Sequence, residues 1–374
     1  MTTSLNEQLS QITNNASDEF VSYMIIAIIL VLVSVMISYI IYLNKLEGSE
    51  CNFMNGLYPS VDGSIRSINP GDPNCGGSLY DYYIKTAYNA CSGGTYKNDF
   101  VDLCNLKAVI KQGVRGLDFE IYSLDNNPIV ATSTSGNYFV KETFNSVNFS
   151  DVMSTIQNYA FSNGTSPNPN DPIILHLRFM SNNQQMYSNL ANIFKSYDSR
   201  MLGSQYSFEN NGHNLGNVPL ISLMGKIILI VDKTNNAFLE NTAFLEYVNM
   251  TSNSVFMRAL TYYNVKNAPD LNELISFNKT GMTIALPDSG PNPSNPSGLL
   301  CRAAGCQMVA IRYQNVDNLL EENALFFDEG GYAFVLKPAN LRYIPVTVAP
   351  PTQQNPNYSY ATRNATTDYY SFNF

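Results

Sequence analysis

Tryptophan is absent from this chain of 374 residues, and histidine occurs only twice, at His176 and His213. No Cys-x-x-Cys motif is present either. Because zinc sites are built mainly from cysteine and histidine at short spacings, a zinc site is not expected. The shortage of histidine also restricts acid–base catalysis, since a catalytic pair of histidines would have to use both.

Basic residues are also scarce. The chain has 21 Lys and Arg against 30 Asp and Glu, which gives a formal net charge of −9, and it contains no basic run. Proteins that bind nucleic acid neutralise phosphates with clustered Lys and Arg, so nucleic acid is not expected as a partner. The same shortage gives little attraction to an anionic membrane surface. No cofactor is expected.

One long apolar run extends from Phe20 to Leu43 without a charged residue. Because about 20 apolar residues cross the core of a bilayer, this run is predicted to be a single-pass anchor with the lipid bilayer as its partner. A cleaved signal peptide is disfavoured, since no basic residue precedes the run and no small-residue cleavage site follows it. The predicted segments are a tail (1–19), the anchor (20–43), a loosely packed stalk (44–79), a globular domain (80–345) and an extended C-terminal tail (346–374).

Two signals disagree on the orientation of the anchor. Lys45 follows it, whereas only acidic charges precede it, and the positive-inside rule therefore favours a cytosolic C-terminal domain. Asn-x-Ser/Thr sequons in that domain favour the lumen instead. They lie at Asn148, Asn163, Asn249, Asn278, Asn357 and Asn364. Both orientations stay open.

The chain has six cysteines, an even number. Three disulfides are therefore possible in a membrane-tethered domain, in any of fifteen pairings. We predict local pairs, such as Cys301 with Cys306, and six buried thiols are the alternative. The candidate disulfide cysteines are Cys51, Cys75, Cys91, Cys104, Cys301 and Cys306.

Strand and helix patterns alternate from Tyr80 onward over some 260 residues. This order indicates an α/β fold with a parallel sheet covered by helices, and its length fits a closed (β/α)₈ barrel. The predicted strands are 82–87, 116–122, 128–132, 172–179, 227–231, 282–286 and 308–313. The predicted helices are 98–112, 150–164, 182–197, 238–248 and 318–326.

Two stretches resemble the phosphoinositide-specific phospholipase C family. GVRGLDFEIYSLDNNPIV at Gly113 to Val130, followed by DPIILHLRF and GKIILIV, resembles the X half of that family's barrel. The stretch from Ala304 to Arg342, with GCQMVA and GGYAFVLKPANLR, resembles the end of the Y half. The resemblance implies a TIM barrel of phospholipase C type, here preceded by a single transmembrane helix.

The resemblance also implies a chemistry that needs two histidines. In the family, one takes the proton from the attacking inositol hydroxyl, and the other protonates the leaving group. Matched residue by residue, these positions fall on Tyr88 and Thr134. Neither is a general base at neutral pH, because the pKa of a tyrosine side chain is about 10 and that of threonine is higher still. The chain is therefore expected to be a pseudoenzyme, with both catalytic positions degenerate.

The family's calcium ion is held by Asn, Glu, Asp and Glu oxygens, which implies a former metal site in this chain. The matching residues are Asn89, Asp118, Glu120 and Arg178. Asp118 and Glu120 are two apart on one strand and so face the same side, where two carboxylates without a cation would repel. We predict that Arg178 replaces calcium by pairing with one or both of them. The alternative is an Arg178 that points to solvent.

Neither histidine is expected to be catalytic. His176 lies two residues before Arg178 on a predicted strand, so it should point into the barrel as a buried, hydrogen-bonded core residue. His213 lies in the loop NNGHNLGN and is expected to be solvated.

Two functions of different class remain open. The first is an inactive structural or interaction protein. Its Asn- and Tyr-rich composition and single anchor resemble a virion-membrane or minor capsid protein of a large DNA virus, which implies capsid-protein partners and an inner virion membrane. The second is a non-hydrolysing phosphoinositide or headgroup binder, or a phospholipase with an altered mechanism. The family's Arg-x-Tyr-Pro motif falls on Ile284 to Pro287, and its loss counts against the second function.

Overall fold

The computed structural model describes residues 2–135, 139–207, 213–345, 349–353, 355, 358 and 360–374. The sequon at Asn357 lies outside the described residues. The chain divides into two compact units, Met1–Arg342 and Tyr343–Phe374, which are described separately.

The N-terminal part of the first unit is a single helix, α1 (Thr2–Leu57). Its apolar side chains from Phe20 to Tyr42 are exposed. The stretch from Phe20 onward has a mean hydropathy of 3.0, so by length and composition it could span a membrane, as the sequence predicts.

Eight parallel strands form a nearly closed barrel, which confirms the predicted fold class. The strands of the first unit are β1 (Tyr82–Ala87), β2 (Gly116–Leu124), β3 (Asn127–Ala131), β4 (Val147–Asn148), β5 (Ile173–Phe179), β6 (Ile227–Asp232), β7 (Met250–Ser252), β8 (Met257–Thr261), β9 (Met282–Leu286), β10 (Met308–Ile311) and β11 (Phe334–Leu336). Around the barrel the order is β7-β6-β5-β2-β1-β10-β9-β8. The hairpin strands β3 and β4 extend β2, and β11 pairs antiparallel with β1.

Helices cover the outside of this barrel. They are α2 (Leu103–Lys111), α3 (Phe149–Thr155), α4 (Gln184–Lys195), α5 (Thr242–Leu245), α6 (Tyr262–Lys266), α7 (Leu271–Phe277), α8 (Gly298–Ala303) and α9 (Asn318–Gly330). Local signals set their ends. Asp317 caps α9 by accepting the N–H groups of Leu319 and Leu320, and Gly331 ends it in the left-handed region at φ 69°.

Alternation along β2 and β5 decides which side chains enter the barrel. Leu117 and Phe119 point outward into the core shared with the helices. Asp118 and Glu120 point inward, and His176 and Arg178 on β5 stand beside them in register. Because successive side chains of a strand face opposite sides, the polar residues of both strands collect inside the barrel.

Residues 44–57 differ from the loosely packed stalk that the sequence suggested. They continue α1, and Met54 is fully buried against the barrel core. A disulfide between Cys51 and Cys104 joins the end of α1 to α2. Apolar burial and a covalent bond together fix this segment to the barrel.

The predicted pairing of Cys301 with Cys306 is wrong, since both are free and buried. Their closeness in sequence does not pair them, because α8 ends between them and Gly305 turns the chain at φ 80°. Cys75 and Cys91 are also buried free thiols.

Changing Cys51 to serine is expected to lower the free energy of unfolding by up to about 4 kcal/mol, because the bond closes a loop with a sequence separation of 53 residues. Denaturant unfolding of Cys51→Ser and of the control Cys75→Ser measures the difference. Equal stability of the two variants would contradict the structural role of this disulfide.

The second unit contains a small hairpin of β12 (Asn364–Thr366) and β13 (Ser371–Asn373), where the sequence suggested only an extended tail. Thr367 closes its turn: its N–H donates to the carbonyl of Tyr370, and its Oγ1 accepts the N–H groups of Tyr369 and Tyr370. The hairpin has no hydrophobic period that a sequence pattern could reveal, because it relies on this local turn.

Candidate active site

The C-terminal ends of the barrel strands surround a cavity of about 530 Å³. This is the end of a TIM barrel at which catalytic groups gather. Arg178 and Asp232 are its charged lining residues among those described, and uncharged polar side chains such as Asn182, Thr234 and Asn253 line much of the rest. A neighbouring cavity of about 570 Å³ shares Asn253 with this one and is also lined by His213. Among the described residues, none of those in the predicted catalytic pair or former metal site lines it.

Arg178 binds both carboxylates of the predicted former metal site. Its Nε and Nη2 donate to the two oxygens of Asp118 at 3.0 and 2.7 Å, which is a bidentate ion pair. Its Nη1 donates to Glu120 Oε1 at 3.0 Å, and Nη2 also donates to Asn89 Oδ1 at 3.0 Å. The prediction that Arg178 pairs with these acids is confirmed.

Hydrogen bonds from neighbouring loops complete the cluster. Asn89, which follows β1 with φ 44°, donates its side-chain N–H to Glu120 Oε1 at 3.2 Å. Glu120 Oε2 accepts the hydroxyl of Tyr122 at 2.8 Å and the N–H of Ser133 at 2.9 Å. Each carboxylate is therefore held in one orientation, as buried charges require.

The electrostatics keep Asp118 and Arg178 charged despite burial. Burial by itself raises the pKa of Asp118, but the Arg178 guanidinium and the hydrogen bond from His176 outweigh it and hold this pKa at about 2. Burial opposes the charge of Arg178, and the Asp118 and Glu120 carboxylates overcome it and raise the pKa of Arg178 well above its ordinary value. Asp118 and Arg178 therefore stay ionised across the physiological range.

Calcium, which the family resemblance implies, does not fit these residues. The guanidinium nitrogens of Arg178 lie 2.7 to 3.0 Å from the oxygens of Asp118, Glu120 and Asn89 that would be the ligands. A divalent cation there would meet a fixed positive charge instead of a carboxylate.

His176 is buried and hydrogen-bonded inside the barrel, as predicted. Its Nδ1 lies 2.7 Å from Asp118 Oδ1, and its Nε2 lies 2.9 Å from Ser252 Oγ. His176 and Arg178 Nε therefore share Oδ1 of Asp118, which helps to hold this carboxylate in place. His213 is exposed, also as predicted.

The structure brings Tyr88 to the cluster and leaves Thr134 outside it. The guanidinium carbon of Arg178 lies 4.8 Å from the ring centroid of Tyr88, and both residues line the cavity. Burial raises the pKa of Tyr88, so its hydroxyl stays protonated. The Thr134 hydroxyl instead donates to Glu142 at 2.6 Å. That these two residues stand where the family has histidines stays a prediction.

Two protein-family models match the part of the chain that forms the barrel and this site. The model of the phosphatidylinositol-specific phospholipase C X domain matches residues 77–233, and the model of its Y domain matches residues 234–340. Together the two matches cover most of the chain. The chain belongs to the phosphatidylinositol-specific phospholipase C family.

Solved structures share the fold of this phospholipase C relative. The crystal structure of PLC21 from L. pealei matches with a TM-score of 0.59 and 19% identity, covering 72% of this chain and 38% of that one. PLC21 from S. officinalis matches with a TM-score of 0.57 and 18% identity, over 72% and 38% of the two chains. A calcium-dependent enzyme from Pseudomonas sp. matches with a TM-score of 0.44 and 11% identity, over 74% and 99%. No curated protein matches the chain.

These findings contradict the expectation that the chain is a pseudoenzyme. Both halves of the catalytic barrel of an enzyme family are present, in order. The expectation rested on two residue types at matched positions, and it neglected that other side chains can supply charge and proton transfer at the same cavity.

Asp232 is a candidate functional residue that the sequence did not single out. It ends β6 at the cavity, where its Oδ1 accepts the N–H of Thr234 at 2.7 Å and the side-chain N–H of Asn253 at 3.1 Å. An acid directly after the apolar run IILIV was the available signal, since such positions of a TIM barrel face the active site. Ser252 gave no comparable signal, because β7 is short.

Proposed function

We propose that the chain is a membrane-anchored phosphodiesterase of phospholipase C type that works without calcium. The observation that carries this proposal is the guanidinium of Arg178, held between Asp118 and Glu120 beside the cavity at the C-terminal end of the barrel. Such a fixed, preorganised positive charge can stabilise the charge that develops on a phosphoryl group.

Conservation of charge supports this role for Arg178. A calcium ion with three carboxylates and one asparagine has a net charge of −1. Arg178 with Asp118, Glu120 and Asn89 has the same net charge, because one guanidinium replaces both the ion and its last carboxylate ligand. A phosphodiester would therefore meet a similar electrostatic field at the calcium site of the family and at the Arg178 cluster.

Two groups can donate hydrogen bonds to the phosphoryl oxygens. Of the five N–H groups of a guanidinium, four of those of Arg178 bind Asp118, Glu120 and Asn89. None of these hydrogen bonds within the described residues uses the remaining N–H on Nη1, which leaves it for a ligand. The neutral hydroxyl of Tyr88 is the second donor, because its raised pKa keeps it protonated.

Asp232 is the proposed general base. Both of its hydrogen bonds are made by Oδ1, and among the described residues no partner of Oδ2 and no ion pair is found. As the inositol hydroxyl oxygen forms its bond to phosphorus, its proton passes to the Asp232 carboxylate. The bond between phosphorus and the glycerol oxygen breaks, and the leaving oxygen takes that proton from Asp232 through water, which restores the carboxylate.

The anchor supports a lipid substrate, because α1 would hold the barrel at the surface where phospholipid headgroups lie. Location in a virion membrane and capsid-protein partners stay predictions. Binding of a headgroup without cleavage is the competing function, and the experiment below separates it from hydrolysis.

The full-length chain, purified in detergent and treated with EDTA, is expected to release soluble phosphorylated headgroup from phosphatidylinositol in mixed micelles. Asp232→Asn should lower the rate at least about 10²-fold, the usual effect of losing a general base. Asp125→Asn, in an exposed turn, is the matched control. No release above the blank would contradict the proposal, and thermal protection by the headgroup without release would favour the binder.

A further inference from the structure

A buried carboxylate lies where the end of α1 meets the barrel. Glu50 directly precedes the disulfide residue Cys51 and is only 8% exposed. Its Oε1 atom has no hydrogen-bond partner among the described residues. A buried carboxylate oxygen without a partner is unfavourable, so this position needs either a cation or a proton.

A second buried carboxylate faces the same point. Asp99 is 6% exposed, and its Oδ2 accepts the N–H and the hydroxyl of Thr95 at 2.8 and 3.0 Å. A Cβ on Gly94 would lie 2.3 Å from Asp99 Oδ2 and 2.5 Å from Glu50 Oε1. The two oxygens therefore flank one small space that only glycine leaves open.

Protein cations do not neutralise this pair. Among the described residues, no Lys, Arg or His forms an ion pair with Glu50 or Asp99. The guanidinium of Arg312 is close to the same loop, but it donates to the carbonyls of Gly94 and Pro293 and to the hydroxyl of Tyr96. Two buried carboxylates facing each other require a cation or a shared proton.

We propose that Glu50 and Asp99 bind a calcium ion that links α1 to the barrel. Two carboxylates balance its charge, and the Thr95 hydroxyl supplies a third oxygen beside Asp99. Calcium accepts carboxylate and hydroxyl oxygens in flexible, irregular coordination, which suits a site between a helix and a loop. The site is separate from Arg178 and does not depend on the proposed function.

Calcium alone is the probe. The full-length chain in detergent, stripped with EDTA, should gain a few degrees in Tm when calcium is added in excess, because a ligand of the folded state stabilises it. Glu50→Gln and Asp99→Asn should each abolish this gain. Glu246→Gln, an exposed residue outside the site, should keep it.

Equilibrium dialysis counts the ions directly and does not need the variants to fold. One calcium ion per wild-type chain supports the site, and none overturns it. A gain in Tm that persists in Glu50→Gln and Asp99→Asn also overturns it. The proposal is also overturned if calcium does not change the Tm of the wild type while Glu50→Gln has a higher Tm than the wild type. That result would show that the two carboxylates share a proton.

Discussion

Replacing Arg178 with alanine is expected to lower the free energy of unfolding by about 3–5 kcal/mol, the usual result of removing one partner from a buried ion pair. The side chains of Asp118 and Glu120 are 0% and 1% exposed, so the change leaves two carboxylates facing each other without a cation or solvent. Urea unfolding of the detergent-solubilised chain measures the loss.

Arg258→Ala is the matched control. Arg258 also pairs with a carboxylate, that of Glu273, but the two side chains are 32% and 54% exposed. Exposed pairs contribute about 0–1 kcal/mol, so the control should lose far less. Equal losses in the two variants would contradict a buried, structurally important Arg178 cluster.

The same cluster makes the stability of the fold depend on pH in the acidic range. The pKa of Asp118 is lowered from 3.8 to about 2, with burial opposing and Arg178 and His176 dominating the shift. A lowered folded-state pKa contributes stability that is full above the unfolded value and is lost as the pH falls through the folded one. Stability should therefore decline between about pH 4 and pH 2, and less steeply in Arg178→Ala.

Arg178→Glu is expected to make the fold dependent on calcium. The substitution supplies the family's last carboxylate beside Asn89, Asp118 and Glu120, and its three carboxylates repel one another without a cation. In EDTA the variant should lose at least as much stability as the alanine variant, and calcium should restore most of it by binding the folded state.

Thermal unfolding of Arg178→Glu with EDTA and with calcium measures this rescue. The wild type under the same conditions is the control, since it also reports any calcium bound elsewhere. A gain in Tm no larger than that of the wild type would show that these four positions do not form a calcium site, and would remove the charge argument for Arg178.

Much of the fold follows from local patterns in the sequence. All seven predicted strands are present within two residues of their bounds, because each is an apolar or alternating run between turn residues. The short strands β4, β7, β8 and β11 and the helices α6 to α8 were missed. They cover only two to seven residues each, which is too short for a hydrophobic period to show.

Some features of the site could also be predicted from the sequence, and others could not. The cluster of Arg178 with Asp118 and Glu120 was predictable, because residues two apart on a strand share a face and the family match placed both strands side by side. The Cys51–Cys104 disulfide was not, since pairing depends on how the end of α1 packs against the barrel. The apolar run before Asp232 marked its position at the end of a strand, but its hydrogen bonds to Thr234 and Asn253 could not be predicted, since no spacing reveals them.

The ratio of the rates of phosphatidylinositol hydrolysis in EDTA and in calcium tests the central claim most directly. With Arg178 as the fixed charge, the purified wild-type chain should hydrolyse the lipid at a similar rate in both, and Arg178→Ala should be slower in both. Hydrolysis that appears only with calcium, in the wild type and equally in Glu50→Gln, would contradict the account, because the ion and not Arg178 would then supply the charge at phosphorus.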